Sequence, residues 1–332
     1  MTSTASLTWL ADLQENRIHM PTPVLNQAVA PYSTYRIGGP MDIAWHPKSA
    51  LELEALLTGI NPLVKDQQTT LNIIGWGSNT LIATNGIRGN TIITRKLDNI
   101  VDKGNGLFII DAGVHLAKVA QTIYKAGYTG AEYLIGIPGT MGGAAMMNAG
   151  AMGQDTAAIV EQVLVYDFDA NATGWISEET LHFAYRYSAL DPHHKMVLAI
   201  KCRFFEGDPA EAKAQMDQNI AFRRAHHPIE PNGGSVFRNP EGGPAVGQMM
   251  DELGAKGIWI EGGAMVSPLH GNFIINRGHA TSHDVLTLMT RMQQAAMNHY
   301  GKRIHPENRF MGDATPEETA LWKQLKEGDT HV

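Results

Sequence analysis

The sequence predicts a mixed helix-and-strand protein of about two or three domains, with loops built to hold a small molecule. Three observations carry this reading. The chain has 332 residues and 43% hydrophobic content, enough for a sizeable core. Short apolar runs with strand character alternate with amphipathic segments that carry helix caps. Small residues dominate the run Gly136 to Ala151, which has no charged side chain.

In chain order, residues 1 to about 30 read as an N-terminal arm with one short helix, broken by Pro21 and Pro23. Ser49 and Glu52 form a capping-box pattern that opens a helix with Leu53, Leu56 and Leu57, closed by Gly59. Leu71–Ile74 reads as a strand running into a glycine turn, and Thr91–Thr94 and Leu107–Ile110 as further strands. Val114 to Ala126 is amphipathic, with Leu116, Val119, Ala120 and Ile123 on one face and Gly127 as its stop. Val163–Phe168 is a strand, and Met196 to Phe205 alternates, so that Met196, Leu198, Ile200, Cys202 and Phe204 are expected on one face. Cys202 then reads as buried filler. Asp208, Pro209 and Glu211 mark a helix start that runs to the Arg223-Arg224 and His226-His227 pairs. A strand at Asn272–Asn276, a helix from Asp284 to Tyr300 and a short polar helix opened by Thr315 complete the chain. That last helix is expected to be peripheral.

The composition bounds the function. Net charge is −7, which gives no general reason to expect nucleic-acid binding. One cysteine excludes an intrachain disulfide and a cysteine-based zinc site. No apolar run approaches the ~18 residues of a membrane span, and Met1 to Leu10 lacks the basic start of a signal peptide. The expectation is a cytoplasmic monomer without metal. The adjacent histidines have no carboxylate at a helical ligand spacing.

The central run suits a large, flat, phosphate-bearing ligand. Pro138 fixes one dihedral, Gly136, Gly139 and Gly142 free others, and backbone N–H groups can approach a ligand closely. A buried strand-to-helix turn explains the same composition equally well. Gly75-Trp76-Gly77 followed by Ser78 and Asn79 has only the first two glycines of a dinucleotide fingerprint. Two such loops together could clasp a dinucleotide without that unit. Ser235 follows Gly233 and Gly234 in an exposed turn position from which a hydroxyl could deliver a proton, and Arg238 and Asn239 follow it. A hydroxyl satisfying its own turn is the commoner case. Tyr185, Arg186 and Tyr187 set a guanidinium between two aromatic rings, and Glu307 stands beside Pro306 near the end of the folded region.

These motifs, in this order from about Tyr32 to Gly312, resemble the UDP-N-acetylenolpyruvoylglucosamine reductase (MurB) family, in the branch without the extra tyrosine loop. The resemblance rests on Thr34 to Gly39, Gly75 with Gly77-Ser78-Asn79, Gly136 to Gly139 through Asn148-Ala149-Gly150, Tyr185-Arg186, Gly234 to Phe237, and Pro306-Glu307. It implies an α+β protein with a vanillyl-alcohol-oxidase/PCMH-type FAD-binding fold of two subdomains plus a C-terminal substrate-binding domain. The implied boundaries are an arm over 1–30, an FAD region over 31–207 split near 100, a substrate domain over 208–314 and a polar tail over 315–332. FAD is held non-covalently and NADPH is the hydride donor in the implied two-step reduction of the enolpyruvyl UDP-sugar, a step of peptidoglycan precursor synthesis.

By the same resemblance, Tyr35, Gly75, Gly77, Ser78, Asn79, Gly136, Ile137, Pro138, Gly139, Gly142, Asn148, Ala149 and Gly150 bind the cofactor, while Tyr185, Arg238 and Asn239 bind the substrate. Ser235 is the proton donor, and Arg186 and Glu307 stabilise charge that develops on the substrate carboxylate. To donate, Glu307 has to be protonated, which a desolvated site favours. Trp76, the pair Asn232-Gly233 and Asn308 depart from the family's usual residues. A sugar or alcohol oxidase of the same fold is the alternative activity, and a nucleotide-binding module without catalysis is the alternative outside the enzymes.

Overall fold

The computed structural model describes residues 20–329, so the short helix expected within the first thirty residues falls largely outside them. Packing divides the chain into two compact units that the backbone enters and leaves several times. Among the described residues, one takes 20–24, then Ile43–Trp76 and Gly89–Arg223; the other takes Leu25–Asp42, Gly77–Arg88 and 224–329. The border within the third quarter of the chain therefore falls after Arg223, inside the helix Pro209–His226, and not near residue 207. Residues 25–42 and 77–88 group with the C-terminal segment.

The first unit is built on an antiparallel sheet in the order Ala172–Ser177, Val160–Asp167, Lys195–Arg203, Leu107–Asp111 and Ile100–Asp102. Both faces are covered. On one, Phe108, Ile110, Ile200 and Cys202 meet Val119 and Ile123 of the helix Leu116–Lys125 and Met141 of the helix Met141–Met147. On the other, Tyr166, Met196 and Leu198 meet Leu53, Leu56, Leu57 and Ile60 of the helix Ala50–Lys65. The strand Met196 to Phe204 thus does not keep one face, as its alternation predicts. Leu164 pairs with Ala199 and Val165 with Val197, which leaves Leu198 as an extra residue. This bulge reverses the side-chain phase, so Met196 and Leu198 go to one layer and Ile200 and Cys202 to the other. Cys202 is fully buried and burial pushes its thiol pKa up.

The helix Ala50–Lys65 starts where its cap predicts, with the Ser49 hydroxyl accepting from the Glu52 N–H at 3.2 Å. It runs past Gly59 and through Pro62. Ile60 is buried in the core, and the Asn61 amide donates to the Phe168 carbonyl and to Asn171 at 2.8 Å each. These tertiary contacts outweigh the local signals to stop.

In the second unit an antiparallel sheet runs Asn232–Ser235, Phe273–Asn276, Ala264–Val266 and Ile260–Glu261. Thr80–Ile82 and Arg309–Met311 pair in parallel as a separate two-stranded sheet. The helix Ser282–Tyr300 carries a full capping box between Thr281 and Asp284 and ends at Gly301 with φ +62°. It buries Val285, Leu286, Met289 and Met292 against Val236, Phe237, Val246 and Met249. The C-terminal helix Pro316–Lys326 is not peripheral. Leu325 is fully buried in this same core, Gln293 donates to the Leu325 carbonyl at 3.0 Å, and the Ser282 hydroxyl hydrogen-bonds the buried Glu318 carboxylate. Among the described residues no helix is long and apolar enough to cross a membrane.

Candidate functional site

The second unit brings Ser235 and Glu307 together. Ser235 ends the strand Asn232–Ser235, whose pairing with Phe273–Asn276 is broken between Asn232 and Ser235. Gly234 takes up this irregularity at φ +77°, and its N–H donates to the Asn232 side chain at 2.8 Å. Such a bulge re-aims the side chain that follows it. Glu307 lies on the adjoining stretch. Its N–H donates to the Val236 carbonyl at 2.9 Å, and Phe237 and Pro306 form an antiparallel bridge. Asn79 holds the same turn from a third segment, donating its amide to the Glu307 carbonyl at 2.9 Å. Both Ser235 and Glu307 are half-buried.

Under them sits Asn308, 3% exposed. Its amide nitrogen lies 2.8 Å from the Asn79 side-chain oxygen, 2.8 Å from the Gly233 carbonyl and 3.2 Å from the Ser235 carbonyl. Its oxygen accepts from the Tyr35 hydroxyl at 2.9 Å. Tyr35 is fully enclosed, and burial pushes its phenol pKa up. A Cβ on Gly233 would stand 2.1 Å from the Tyr35 ring, so the backbone before Ser235 is pressed on that ring. Tyr35, expected among the cofactor-binding residues, here serves the second unit's interior. Gly77 is at φ +65°, and a Cβ there would meet the Tyr32 carbonyl at 2.3 Å, so both its backbone and its surroundings call for glycine. The Ser78 carbonyl lies 3.8 Å from the Cβ position of Gly234.

The structure gives two expected substrate residues an internal partner. Arg238 donates to both oxygens of Asp329 at 2.5 Å, with that carboxylate only 2% exposed. The Asn239 side chain accepts from the Val246 N–H at 3.0 Å, at the start of the helix Val246–Glu252.

In the first unit the two glycine loops meet. A Cβ on Gly75 would stand 2.6 Å from the Thr140 hydroxyl, which caps the helix Met141–Met147. Trp76, the departure in this loop, is packed by the chain's own side chains. Its ring meets His115 edge-on at 4.6 Å, and Arg95 lies 4.2 Å above it while donating to the Gly75 and Trp76 carbonyls. Burial, then Arg95, lowers the His115 pKa.

Within the central run, roles divide. The first helical N–H groups are already used: Met141 donates to Val114, Gly142 to Ala112, Gly143 to the Thr140 hydroxyl and Ala144 to the Thr140 carbonyl. Gly142 is a packing glycine, with a Cβ position 2.8 Å from that of Ala112. Asn148, at φ +44° and 2% exposed, donates to Asp155 and the Ala184 carbonyl and accepts from the Ala157 N–H. Ala149 accepts from Thr156. Partly open are the strip Gly136, Ile137, Pro138 and Gly139, and the run's end at Ala149 and Gly150, with Gly143 exposed between them. A Cβ on Gly136 would meet nothing closer than 3.6 Å, where the Arg223 side chain passes. Burial lowers the Arg223 pKa, and no ion pair engages it among the described residues. In the sequence, only its place ahead of the histidine pair hints at this residue.

Arg186 also belongs to the first unit. It sits in a tight turn closed by hydrogen bonds between Ala184 and Tyr187, at φ +56°. Few non-glycine residues adopt that conformation, and those that do often serve a site. Its guanidinium stacks 5.0 Å from the Tyr185 ring and donates to the Gly150 carbonyl at 3.4 Å. This ties Arg186 and Tyr185 to the end of the central run. Among the described residues no group of three or more histidines, cysteines or carboxylates is arranged to hold a metal.

A bare backbone strip with a desolvated guanidinium beside it suits a flat ligand carrying phosphate. Comparison with known proteins agrees with this. The FAD binding domain family matches residues 43–174, and the family of the UDP-N-acetylenolpyruvoylglucosamine reductase C-terminal domain matches 226–311. The UDP-N-acetylenolpyruvoylglucosamine reductase of Synechococcus sp. (strain WH7803) is 38% identical over 95% of this chain and 99% of its own. That of Pediococcus pentosaceus is 33% identical over 87% of this chain and 94% of its own. The crystal structure of the Thermus caldophilus reductase superposes with a TM-score of 0.72, at 30% identity, over 87% of this chain and 98% of that one.

Proposed function

From the premise that this chain belongs to the UDP-N-acetylenolpyruvoylglucosamine reductase family, we propose that it reduces UDP-N-acetylenolpyruvoylglucosamine to UDP-N-acetylmuramate with NADPH and bound FAD. The observation that supports the reading most is the Ser235–Glu307 arrangement, two residues distant in sequence fixed on adjoining backbones through the 2.9 Å bond from Glu307 to Val236.

FAD, when bound, supplies a two-electron relay between NADPH and the substrate. For the cofactor, the open strip Gly136–Gly139 and the Gly75 turn are the residues that fit, with Gly77, Ser78 and Asn79 continuing that turn in the chain. Gly142 and Asn148 support the run from inside, and Arg223 is suited to a phosphate. Reduction of the enolpyruvyl double bond leaves negative charge on the α-carbon and its carboxylate. Arg186 and Glu307 stabilise that charge, which is worth most where water is excluded. Ser235 then delivers the proton that completes the new C–H bond at the α-carbon. Loss of such a donor typically costs ~10²–10⁴ in rate. Tyr185 orients the substrate through its stack with Arg186. Arg238 and Asn239 act through the structure they hold.

An anaerobic spectral titration tests the reading. The purified protein is expected to be yellow, to bleach on adding NADPH and to regain its colour with the enolpyruvyl sugar nucleotide, yielding UDP-N-acetylmuramate. A yellow protein indifferent to NADPH but bleached by a sugar or alcohol would make it an oxidase and overturn the proposal.

A further inference from the structure

We propose that Asn308 is a positioning residue that sets the relative placement of Ser235 and Glu307, with Tyr35 and Asn79 as its anchors; this rests on the roles given to Ser235 and Glu307 above. A primary amide has two N–H donors and one carbonyl acceptor. In Asn308 all are spent inside the protein, on the Gly233 and Ser235 carbonyls, the Asn79 side chain and the Tyr35 hydroxyl. Each partner bears on one of the two functional residues. Gly233 and Ser235 belong to the bulged strand end that aims the hydroxyl. Asn79 is the group that holds the Glu307 carbonyl. The anchor itself does not drift, because Tyr35 is fully buried and its ring supports the Gly233 backbone. Asn308 thus joins three separate segments at one point, directly after Glu307 in the chain.

A backbone amide and an aliphatic side chain cannot do this together. An apolar residue of the same volume takes from the buried Tyr35 hydroxyl the acceptor to which it donates and from the Gly233 carbonyl its amide donor, a loss that favours a shift of the strand end. The pairing with Phe273–Asn276 is broken between Asn232 and Ser235, so the displacement falls on Ser235. A misplacement of about 1 Å in a proton donor is enough to cost about 100-fold.

The test compares wild type, Asn308→Leu and Tyr35→Phe by single-turnover spectroscopy and by amide hydrogen exchange over residues 233–237. Asn308→Leu is expected to slow flavin re-oxidation by the sugar nucleotide about 10–100-fold while NADPH reduction stays within about twofold of wild type. Tyr35→Phe keeps the ring that supports Gly233, so it folds, and should shift the same step in the same direction by a smaller factor. Both should speed exchange at residues 233–237. Equal slowing of both half-reactions, or unchanged re-oxidation and exchange in Tyr35→Phe, would overturn the proposal. The reductase reading fails on a different result, a wild-type flavin that NADPH does not bleach, and the exchange comparison needs no turnover to decide the role of Asn308.

Discussion

One methyl group is enough to probe how tightly the Ser235 loop is held. A Cβ on Gly233 would stand 2.1 Å from a fully buried tyrosine ring, whereas one on Gly234 has 3.8 Å of room but requires φ +77°. The first substitution forces atoms apart in a packed interior; the second strains only the backbone. Gly233→Ala is therefore expected to lower unfolding free energy by about 1–3 kcal/mol, and Gly234→Ala by about 1–2 kcal/mol. Urea titration of the two variants checks the order, and equal stability would mean that the Tyr35 contact is slack. Ser235 and Glu307 were legible as candidates because their neighbours, glycines and a proline, mark turns. The amide network beneath them was not. Asn308 stands out in the sequence only as a departure, since its partners Tyr35 and Asn79 are contributed by distant segments. Arg238 reads as a substrate ligand for the same reason: its carboxylate, Asp329, lies 91 residues on.

Among the elements, local signals locate starts better than ends. Ser49, Asp208, Thr281 and Thr315 each accept a hydrogen bond from the first turn of a helix, and these patterns are complete within four residues of sequence. Gly59 and Pro62 are stop signals that burial of Ile60 overrides, and the bulge at Leu198 depends on the partner strand, which no single strand's alternation reveals. The C-terminal helix shows the same limit. Its composition is polar, yet Leu325 is fully buried among Val285, Leu288 and Met292 of the second unit's core. Leu325→Ala should cost about 2–5 kcal/mol, read as a drop in the urea midpoint. A change near zero would show that the helix is a dispensable tail.

For the molecule as a whole, half-buried histidines make stability depend on pH in one direction. Burial, reinforced by Lys96, Arg95 and Lys256 respectively, lowers the pKa of His46, His115 and His270. A lowered histidine pKa means that the unfolded chain takes up a proton first on acidification. These groups leave stability undiminished above about pH 6.5. They erode it as pH falls below that value, until the folded histidines protonate too. The first two lie in one unit and His270 in the other, so both should weaken. The urea midpoint is expected to fall from pH 7.5 to pH 5.5, with a shallower fall in His270→Asn; a flat profile would contradict this account of the histidines.

The proposed role of Ser235 is to deliver a proton to the substrate after hydride transfer, with no part in reduction by NADPH. Ser235→Ala, followed anaerobically at the flavin absorbance, separates the two half-reactions. Bleaching by NADPH should match wild type, and the return of colour with the enolpyruvyl sugar nucleotide should slow ~10²–10⁴-fold. Both half-reactions at wild-type rates would contradict that role.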